Sequence, residues 1–329
     1  MSGLDGVEHK TLRVNGINMH VAEIPASGPG KDHQIILFIH GFPELWYTWR
    51  HQMTALSSLG YRAIAPDLRG YGDTDAPEKV EEYTYFNVVG DVVALIDAVA
   101  GGDEAVFVVG HDWGALIAWQ LCVYRPEKVK ALVNMSVAFP PRNQDCVPIP
   151  TLRRVFGDDY YICRFQKPGE IEAEFKELGT EKVLKEFFTY KTAGPLYLPK
   201  GNLFKRSENA ASASKQWLTQ EDLDYYVIKY EKKGFTGAIN YYRNMDRNWE
   251  LTAPWTGAKI SVPVKFIVGD QDLTYNKPGI KEYIHGGGFK RDVPLLDETV
   301  VLNGVGHFLH EENPDVINQH IHSFFQKFL

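Results

Sequence analysis

The sequence predicts an α/β fold in which a doubly wound, mostly parallel sheet carries helices on both faces. A helical segment is predicted to be inserted in the chain before the last strands of this sheet. Two observations support this prediction. Short apolar runs typical of buried strands alternate with segments of helical periodicity in the first part of the chain, and the alternation returns towards its end. Between these two parts lies a long stretch of helical segments without an apolar strand.

Composition narrows the class of protein. The chain has 329 residues, of which 44% are hydrophobic, enough to bury the core of one large domain or of a core with an insertion. A net charge of -7 argues against nucleic acid or an anionic membrane as the main partner. Cys122, Cys146 and Cys163 cannot all pair within one chain and lack metal-ligand spacing. With no secretory, peroxisomal or membrane-spanning signal, we expect a cytoplasmic protein.

The first elements follow from local patterns. Asn15-Gly16 tolerates the positive φ angles of a two-residue turn, so the flanking runs predict a hairpin. The continuous apolar run at 35–39 is typical of a strand buried on both faces of a parallel sheet. The predicted elements are, in order, strands 9–14, 17–23 and 35–39, helix 46–59, strand 61–65, helix 85–99 and the strand that begins at Val106.

That last strand leads into Gly110-His111-Asp112-Trp113-Gly114, and a helix is predicted from Ala115 onward. Asp112 therefore lies at a strand-to-helix turn with a glycine two residues before it and another two residues after it. A sharp turn needs such small residues, because its apex is strained and neighbouring backbone passes close by. The spacing is that of a nucleophile elbow, with aspartate where ester hydrolases carry serine. The alternative interpretation is that Asp112 only caps the helix.

Further polar residues follow other predicted strands. His40 to Pro43, Asp67 to Gly72 and Asp112 all come at the carboxyl ends of strands, which meet at one edge of a parallel sheet. Later in the chain Asp270 and Asp272 follow a strand at 264–268, and His307 follows one at 299–302. The order Asp112, Asp272, His307 is the chain order of nucleophile, acid and base in α/β-hydrolases. Asp270 is the alternative acid.

The stretch from 140 to 249 is predicted to be a helical lid inserted into a core formed by 1–139 and 250–329. Its helices are expected at 170–178, 181–190, 221–231 and 236–245, and several carry aromatic residues on the face that would be buried. After the lid, the final helix is predicted to begin with Pro314 in its first position and Asn313 as its N-cap.

Four motifs resemble those of the soluble epoxide hydrolase family of α/β-hydrolases, closest to plant enzymes, and the resemblance covers nearly the whole chain. They are His40-Gly41-Phe42-Pro43, Gly110-His111-Asp112-Trp113-Gly114, Asn240-Tyr241-Tyr242-Arg243-Asn244-Met245 and Gly304-Val305-Gly306-His307-Phe308. The resemblance implies that two lid tyrosines, Tyr161 and Tyr242, hold the epoxide oxygen. Tyr160 and Tyr241 are adjacent alternatives. It also implies a cis peptide bond between Phe42 and Pro43.

The chemistry of these residue types is consistent with epoxide hydrolysis. Aspartate is ionised at neutral pH and can attack a strained carbon without a base, which leaves an ester on Asp112. His307, oriented by Asp272, would then activate the water that hydrolyses this ester. The backbone N-H groups of Phe42 and Trp113 are the candidate oxyanion donors. The chemistry implies no metal, nucleotide or flavin; the expected partners are an apolar epoxide and water, and a homodimer is left open.

Other functions fit less well. Haloalkane dehalogenases typically carry a halide-binding polar residue at the position of Phe42, and fluoroacetate dehalogenases a basic residue at that of Trp113. A hydrolase-fold receptor that only binds its ligand has serine at the elbow in its known forms, where this chain has Asp112. The same residue argues against a serine esterase. The aromatic-rich lid suggests apolar substrates, and members of the family often accept fatty-acid epoxides.

Overall fold

The computed structural model describes residues 6–27, 34–102, 104–204 and 217–329. In these residues eight strands form one sheet in the order β1-β2-β4-β3-β5-β6-β7-β8. Strand β2 pairs antiparallel with both β1 and β4, and all other neighbours are parallel, which is the predicted fold class. The strands are β1 (Glu8–Val14), β2 (Ile17–Ile24), β3 (Ile35–Ile39), β4 (Arg62–Pro66), β5 (Val106–His111), β6 (Val129–Met135), β7 (Val264–Gly269) and β8 (Leu296–Leu302).

The helices occupy the segments between and after these strands. They are α1 (Arg50–Ser58), α2 (Tyr85–Ala100), α3 (Trp113–Tyr124), α4 (Pro148–Phe156), α5 (Tyr161–Arg164), α6 (Glu170–Leu178), α7 (Thr180–Phe188), α8 (Gln220–Lys233), α9 (Thr236–Arg243), α10 (Met245–Leu251), α11 (Ile280–His285), α12 (Gly288–Asp292), α13 (Leu309–Glu312) and α14 (Pro314–Phe325). None of the helices in the described ranges is both long and apolar enough to cross a membrane.

The hairpin prediction is confirmed, because Asn15 and Gly16 both have positive φ angles, 44° and 87°, between paired β1 and β2. Three helix predictions need correction. The helix expected at 46–59 starts as a 3-10 turn, Trp46–Trp49, before α1. The helix expected at 236–245 is broken at Asn244, whose side-chain amide donates to the carbonyls of Asn240 and Val80 instead of facing solvent.

The third correction concerns the start of α14. Pro314 is its first residue, as predicted, but the side chain of Asn313 makes no capping hydrogen bond. The sequence pattern did not reveal that the short helix α13 runs directly into this position. The backbone N-H of Asn313 donates to the carbonyl of Leu309, so the chain turns from α13 into α14 without a side-chain cap.

Alternate residues of the central strands supply an apolar core on each face of the sheet. Ile36 and Phe38 of β3 pack with α1 and α14 on one face, and Leu37 of the same strand packs on the other face with α2, α3 and residues of the segment between β6 and β7. The carboxyl ends of β3, β5, β7 and β8 therefore lie between fixed layers, which restrains the loops that follow them.

Helices α4 to α10 all belong to the segment between β6 and β7. In the described part of 140–249 the β-structure is confined to a single bridge between Tyr160 and Tyr197. Helix α8 contacts the core near the ends of the sheet: the hydroxyl of Tyr225 accepts a hydrogen bond of 2.7 Å from the indole of Trp46. The lysine Lys229 on the same helix forms an ion pair with Asp73.

Candidate active site

Asp112 lies between the last residue of β5 and the first residue of α3 with φ 52° and ψ -118°. A non-glycine residue held there costs about 1–3 kcal/mol, which the surrounding packing must offset. A side chain at Gly114 would overlap the carbonyl oxygen of Ile39, and one at Gly110 would come 2.5 Å from the Asn134 side chain. The elbow thus needs glycine on both sides of Asp112 in order to fit against the neighbouring strands.

The carboxylate of Asp112 does not cap α3, so the alternative interpretation of this residue is wrong. Its Oδ1 instead accepts a hydrogen bond of 2.8 Å from the backbone N-H of Phe42. The Phe42-Pro43 peptide bond is cis, as predicted. Trp113 is the first residue of α3, so its N-H has no acceptor within the helix. Of the two predicted backbone donors, Phe42 therefore contacts Asp112 in space, and Trp113 is its neighbour in the chain.

His307 lies between two carboxylates. Its Nδ1 is 3.0 Å from each carboxylate oxygen of Asp272, and its Nε2 is 3.5 Å from Oδ2 of Asp112. Asp272 is itself held by the backbone N-H and the hydroxyl of Thr274, at 2.7 and 2.8 Å. The alternative acid, Asp270, instead accepts a hydrogen bond from the backbone of Gly304 in the loop after β8. Of the two acids, the structure thus places only Asp272 against His307.

The two partners change each other's proton affinity. Burial by itself would raise the pKa of Asp272. The charge of His307 and the hydrogen bonds that the Asp272 carboxylate accepts outweigh this effect and lower the pKa of Asp272 to about 2. Burial would lower the pKa of His307, but the carboxylates of Asp272 and Asp112 outweigh it and hold the pKa well above the ordinary value. With both carboxylates ionised, the imidazole is therefore stabilised in its protonated form.

Within each adjacent pair, Tyr160-Tyr161 and Tyr241-Tyr242, the two side chains have different surroundings. Tyr161 and Tyr242 have ring centroids 5.8 Å apart and both border the space next to Asp112. Tyr160 stacks on Phe156 inside the inserted segment, and the Tyr241 hydroxyl donates to the carbonyl of Arg69 at 2.9 Å. Burial, the largest effect, together with the nearby Asp112 raises the pKa of Tyr161 and of Tyr242 well above 10. Both phenols therefore keep their protons at neutral pH.

Two cavities meet at Asp112, Tyr161 and Tyr242. The larger has a volume of about 510 Å³ and is walled mainly by apolar side chains of α3, α4 and α10 and of the loops after β6 and β7. The smaller has a volume of about 30 Å³ and is bordered by Phe42 and His307. A water needs roughly 10–15 Å³ of such space, so about two waters fit in the smaller cavity.

Sequence patterns did not identify the buried group Glu44, His111 and His310 behind the site. Glu44 accepts a hydrogen bond of 2.6 Å from the backbone of Gly41 and contacts both histidines, at 2.9 and 3.2 Å. His111 in turn donates from Nε2 to the carbonyl of His307, at 2.8 Å. The only signals were the positions of Glu44 next to the His-Gly-Phe-Pro motif and of His111 next to Asp112, which do not show that the two side chains meet.

Two groups of side chains in the described ranges have potential metal-ligand atoms close together. They are Glu44, His111 and His310, and His20, Asp67 and Asp73. In the first group Glu44 pairs with both histidines. In the second, His20 pairs with Asp67 at 2.8 Å, whereas the Asp73 carboxylate pairs with Lys229. Neither group borders the two cavities.

Comparisons with known proteins agree with this geometry. A family model described as alpha/beta hydrolase fold matches residues 34–314. Epoxide hydrolase 3 of Siraitia grosvenorii is 55% identical over 328 residues, which cover 99% of this chain and 100% of that protein. The structure of potato (Solanum tuberosum) epoxide hydrolase I is 57% identical, with a TM-score of 0.93 over 98% of this chain and 100% of that chain. An epoxide hydrolase structure from Vigna radiata is 52% identical, with a TM-score of 0.91 over 99% and 100%.

The protein is thus a hydrolase built on a doubly wound sheet with an aspartate elbow. The chain belongs to the alpha/beta hydrolase fold family and, within it, to the epoxide hydrolases.

Proposed function

We propose that this epoxide hydrolase converts epoxides to vicinal diols through a covalent ester on Asp112. The observation that supports this most directly is that two protonated phenols, Tyr161 and Tyr242, border the same space as Asp112. An anionic nucleophile on one side of an epoxide and two proton donors on the other match the charge that develops as the ring opens. Dehalogenation needs no proton donor for its leaving halide.

The first half-reaction uses the two oxygens of Asp112 differently. Oδ1 is held by the N-H of Phe42, which leaves Oδ2 as the attacking atom. Attack on an epoxide carbon forms the new C-O bond to Oδ2 and breaks the bond from that carbon to the epoxide oxygen. The oxygen leaves as an alkoxide, which takes the proton of Tyr161 or Tyr242 and leaves that tyrosine as a phenolate. The product of this step is a neutral β-hydroxy ester on Asp112.

Formation of the ester also prepares His307 for the second half-reaction. Asp112 loses its negative charge, and with it one of the two carboxylates that raise the pKa of His307. The imidazole then gives up its Nε2 proton, which restores the phenol of Tyr161 or Tyr242, and acts as a base. Asp272 keeps Nδ1 protonated and Nε2 turned to the water. The cavity of about 30 Å³ beside His307 has room for that water.

Water attack on the ester carbonyl places negative charge on Oδ1. The donors for this oxyanion are the N-H of Phe42, which already donates to Oδ1, and the N-H of Trp113, which has no acceptor within α3. Its collapse expels the diol oxygen, which takes the proton that His307 removed from the water. The Asp112 carboxyl group then gives its proton to His307 and becomes a carboxylate again. Phe42, Trp113, Asp112, Asp272 and His307 thus account for the second half-reaction.

Product analysis tests the proposed reaction class. The purified protein is expected to convert styrene oxide to phenylethanediol, and to release no halide above background from 1-chlorohexane or fluoroacetate. Chiral chromatography of the diol and an ion-selective electrode for halide provide the two measurements. Halide release without diol formation would assign the site to dehalogenation instead.

The tyrosine assignment predicts a difference within each adjacent pair. Tyr161→Phe and Tyr242→Phe should each slow alkylation of Asp112. The activation free energy of this step should rise by about 2–4 kcal/mol if each hydroxyl acts like an oxyanion-hole donor, and by less if the other hydroxyl compensates. Ester hydrolysis should change far less. Stopped-flow tryptophan fluorescence under single-turnover conditions separates the two steps.

Tyr160→Phe and Tyr241→Phe are the matched controls, because they remove a hydroxyl from a neighbour that packs away from both cavities. They should leave the alkylation rate near that of the wild type. Slower alkylation in either control than in its adjacent partner would reverse the choice within that pair.

The remaining predictions complete this proposal. Helices α4 to α10 within 140–249 serve as a lid on the core of 1–139 and 250–329, since this segment contributes Tyr161 and Tyr242 while the core contributes Asp112, Asp272 and His307. A cytoplasmic location is supported by three cysteines that are all free thiols.

A homodimer is the oligomeric state included in this proposal. Gel filtration with light scattering would test it.

A further inference from the structure

Ser136 directly follows β6, and its backbone is held in a conformation that serine rarely adopts. It is buried, with 1% of its surface exposed, and has a φ angle of 67°. A left-handed conformation costs a residue other than glycine about 1–2 kcal/mol, because its Cβ lies too close to the following carbonyl oxygen. The Ser136 N-H donates to the carbonyl of Ile267 in β7, at 3.0 Å, and the Ser136 carbonyl accepts from the hydroxyl of Thr274, at 2.7 Å. These two hydrogen bonds hold the conformation and tie the end of β6 to the loop that carries Asp272.

The hydroxyl of Ser136 contacts the residue that acts as the base. Its Oγ donates to the backbone carbonyl of His307, at 3.1 Å. The same carbonyl accepts the hydrogen bond of 2.8 Å from His111, so both of its lone pairs are used. Two side chains, one from β5 and one from the residue after β6, therefore fix the backbone at His307. They also fix the direction in which its imidazole leaves the chain.

The same serine also lies next to the acid. The Thr274 hydroxyl is between the Ser136 carbonyl and Oδ1 of Asp272, at 2.7 and 2.8 Å. Burial would raise the pKa of Asp272; the charge of His307 lowers this pKa most, and a hydrogen bond from the Ser136 hydroxyl lowers it further. A hydroxyl has a single proton, so it serves either the His307 carbonyl or the Asp272 carboxylate at a given moment. Ser136 thus contacts both the base and the acid, although it borders neither cavity.

We propose that Ser136 is a positioning residue of the second half-reaction, whose hydroxyl holds His307 and Asp272 in place while the ester is hydrolysed. This inference rests on the proposed function, because it concerns the base that activates the water. During ester formation His307 is protonated, and its ion pair with Asp272 keeps the two side chains together. When His307 becomes neutral, the buried Asp272 carboxylate loses that charged partner. The hydrogen bonds from Thr274 and Ser136 then keep it ionised.

This role predicts a specific change in pH dependence. Without the Ser136 donor, the Asp272 carboxylate attracts the proton of His307 more strongly, so the pKa of His307 rises and the imidazole becomes neutral only at higher pH. The titratable groups around His307, which the substitutions at Ser136 leave in place, include Asp112, Asp272, His111, His310, Tyr161 and Tyr242. A serine that only stabilised the fold would change the rates without a shift along the pH axis.

The test measures both half-reactions of Ser136→Ala and Ser136→Gly with styrene oxide, by stopped-flow tryptophan fluorescence in single turnovers over a range of pH. Both variants should form the ester at the wild-type rate. Hydrolysis of the ester should slow about tenfold, as expected for the loss of one hydrogen bond to a charged group, and the pH at which it is half-maximal should increase. Glycine adopts a φ angle of 67° without strain and alanine does not, so the two variants should differ in stability but share the kinetic defect.

Ser57→Ala is the matched control. Ser57 is also a buried serine whose hydroxyl donates to a backbone carbonyl, that of Thr54 in α1, at 3.0 Å. This variant should keep both half-reactions and the pH profile of the wild type. Hydrolysis at the wild-type rate in folded Ser136→Gly would overturn the proposal, as would slower hydrolysis with an unshifted pH profile. If the wild type forms no ester, the proposed function fails, and this inference fails with it.

Discussion

Replacing Asp112 with alanine is expected to reduce diol formation to the background rate with the fold intact. Every later step depends on the ester that this carboxylate forms, so no other residue compensates for its loss. Alanine keeps a Cβ at the same positive φ angle, and the contacts removed are the hydrogen bond from the Phe42 N-H and the ion pair with His307. Diol formation is measured chromatographically, and circular dichroism with thermal unfolding checks the fold.

Asp270→Ala is the matched control. Asp270 follows the strand next to the site, but its carboxylate holds the backbone of Gly304 and borders neither cavity. This variant should lose at most about 1–3 kcal/mol of stability and keep its kcat within a few-fold of the wild type. Inactivity of a well-folded Asp270→Ala variant would contradict the assignment of the acid to Asp272.

A labelling experiment on the wild type addresses the covalent step directly. In a single turnover with excess enzyme in heavy-oxygen water, the first diol should carry an unlabelled oxygen from Asp112, and the label should enter Asp112 itself. Mass spectrometry of the diol and of the peptide that contains Asp112 provides the measurement. Heavy oxygen in the first-turnover diol would falsify attack by this residue.

His307→Gln is expected to separate the two half-reactions. Asp112 is an ionised nucleophile and needs no base, so the variant should still form the ester. Hydrolysis should slow by about 10²–10⁴-fold because the water has lost its general base. The intact-protein mass should therefore increase by one substrate molecule per enzyme.

Hydrolysis of the ester by the wild type should speed up as pH rises. His307 acts as a base only when neutral, and the charge of Asp272 raises its pKa. This pH dependence should disappear in His307→Gln.

His285→Gln serves as the control for a histidine substitution, because His285 is exposed and contacts Tyr275 away from both cavities. Its two half-reactions should match those of the wild type. If folded His307→Gln binds substrate but forms no adduct, then His307 acts before the ester forms, and the proposed division of roles is wrong.

Local sequence determined the order of the strands and helices. The prediction succeeded where short-range physics decides: Asn15-Gly16 turns the hairpin, apolar β-branched runs form β3 and β5, and Gly110 and Gly114 make the elbow possible. It was wrong at Asn244, where a contact with Val80 accompanies the break in the helix. At Asn313 the N-cap position was right, but the side chain makes no capping hydrogen bond because the chain enters α14 directly from α13.

The sequence alone also indicated the kinds of residue in the candidate site, because strand ends of a parallel sheet meet at one edge. It chose between neighbours only by chain order and family resemblance, because no local pattern shows which contacts each side chain makes. Asp270 and Asp272 differ in their contacts only after the loop beyond β7 folds against β8 and Gly304. Tyr241 and Tyr242 point in different directions from one helix, and which of them faces Asp112 depends on how α9 packs against Arg69.

Only the tertiary structure brought together residues that are far apart in the chain. Glu44, His111 and His310 meet behind His307, and Arg142 and Lys277 border one cavity, although no spacing in the sequence links them. Hydrogen bonds and electrostatic contacts act over a few ångströms of space, whereas sequence patterns report only the few residues on either side. The sequence therefore determined the framework and its chemistry, and packing decided which side chains of each candidate pair reach the site.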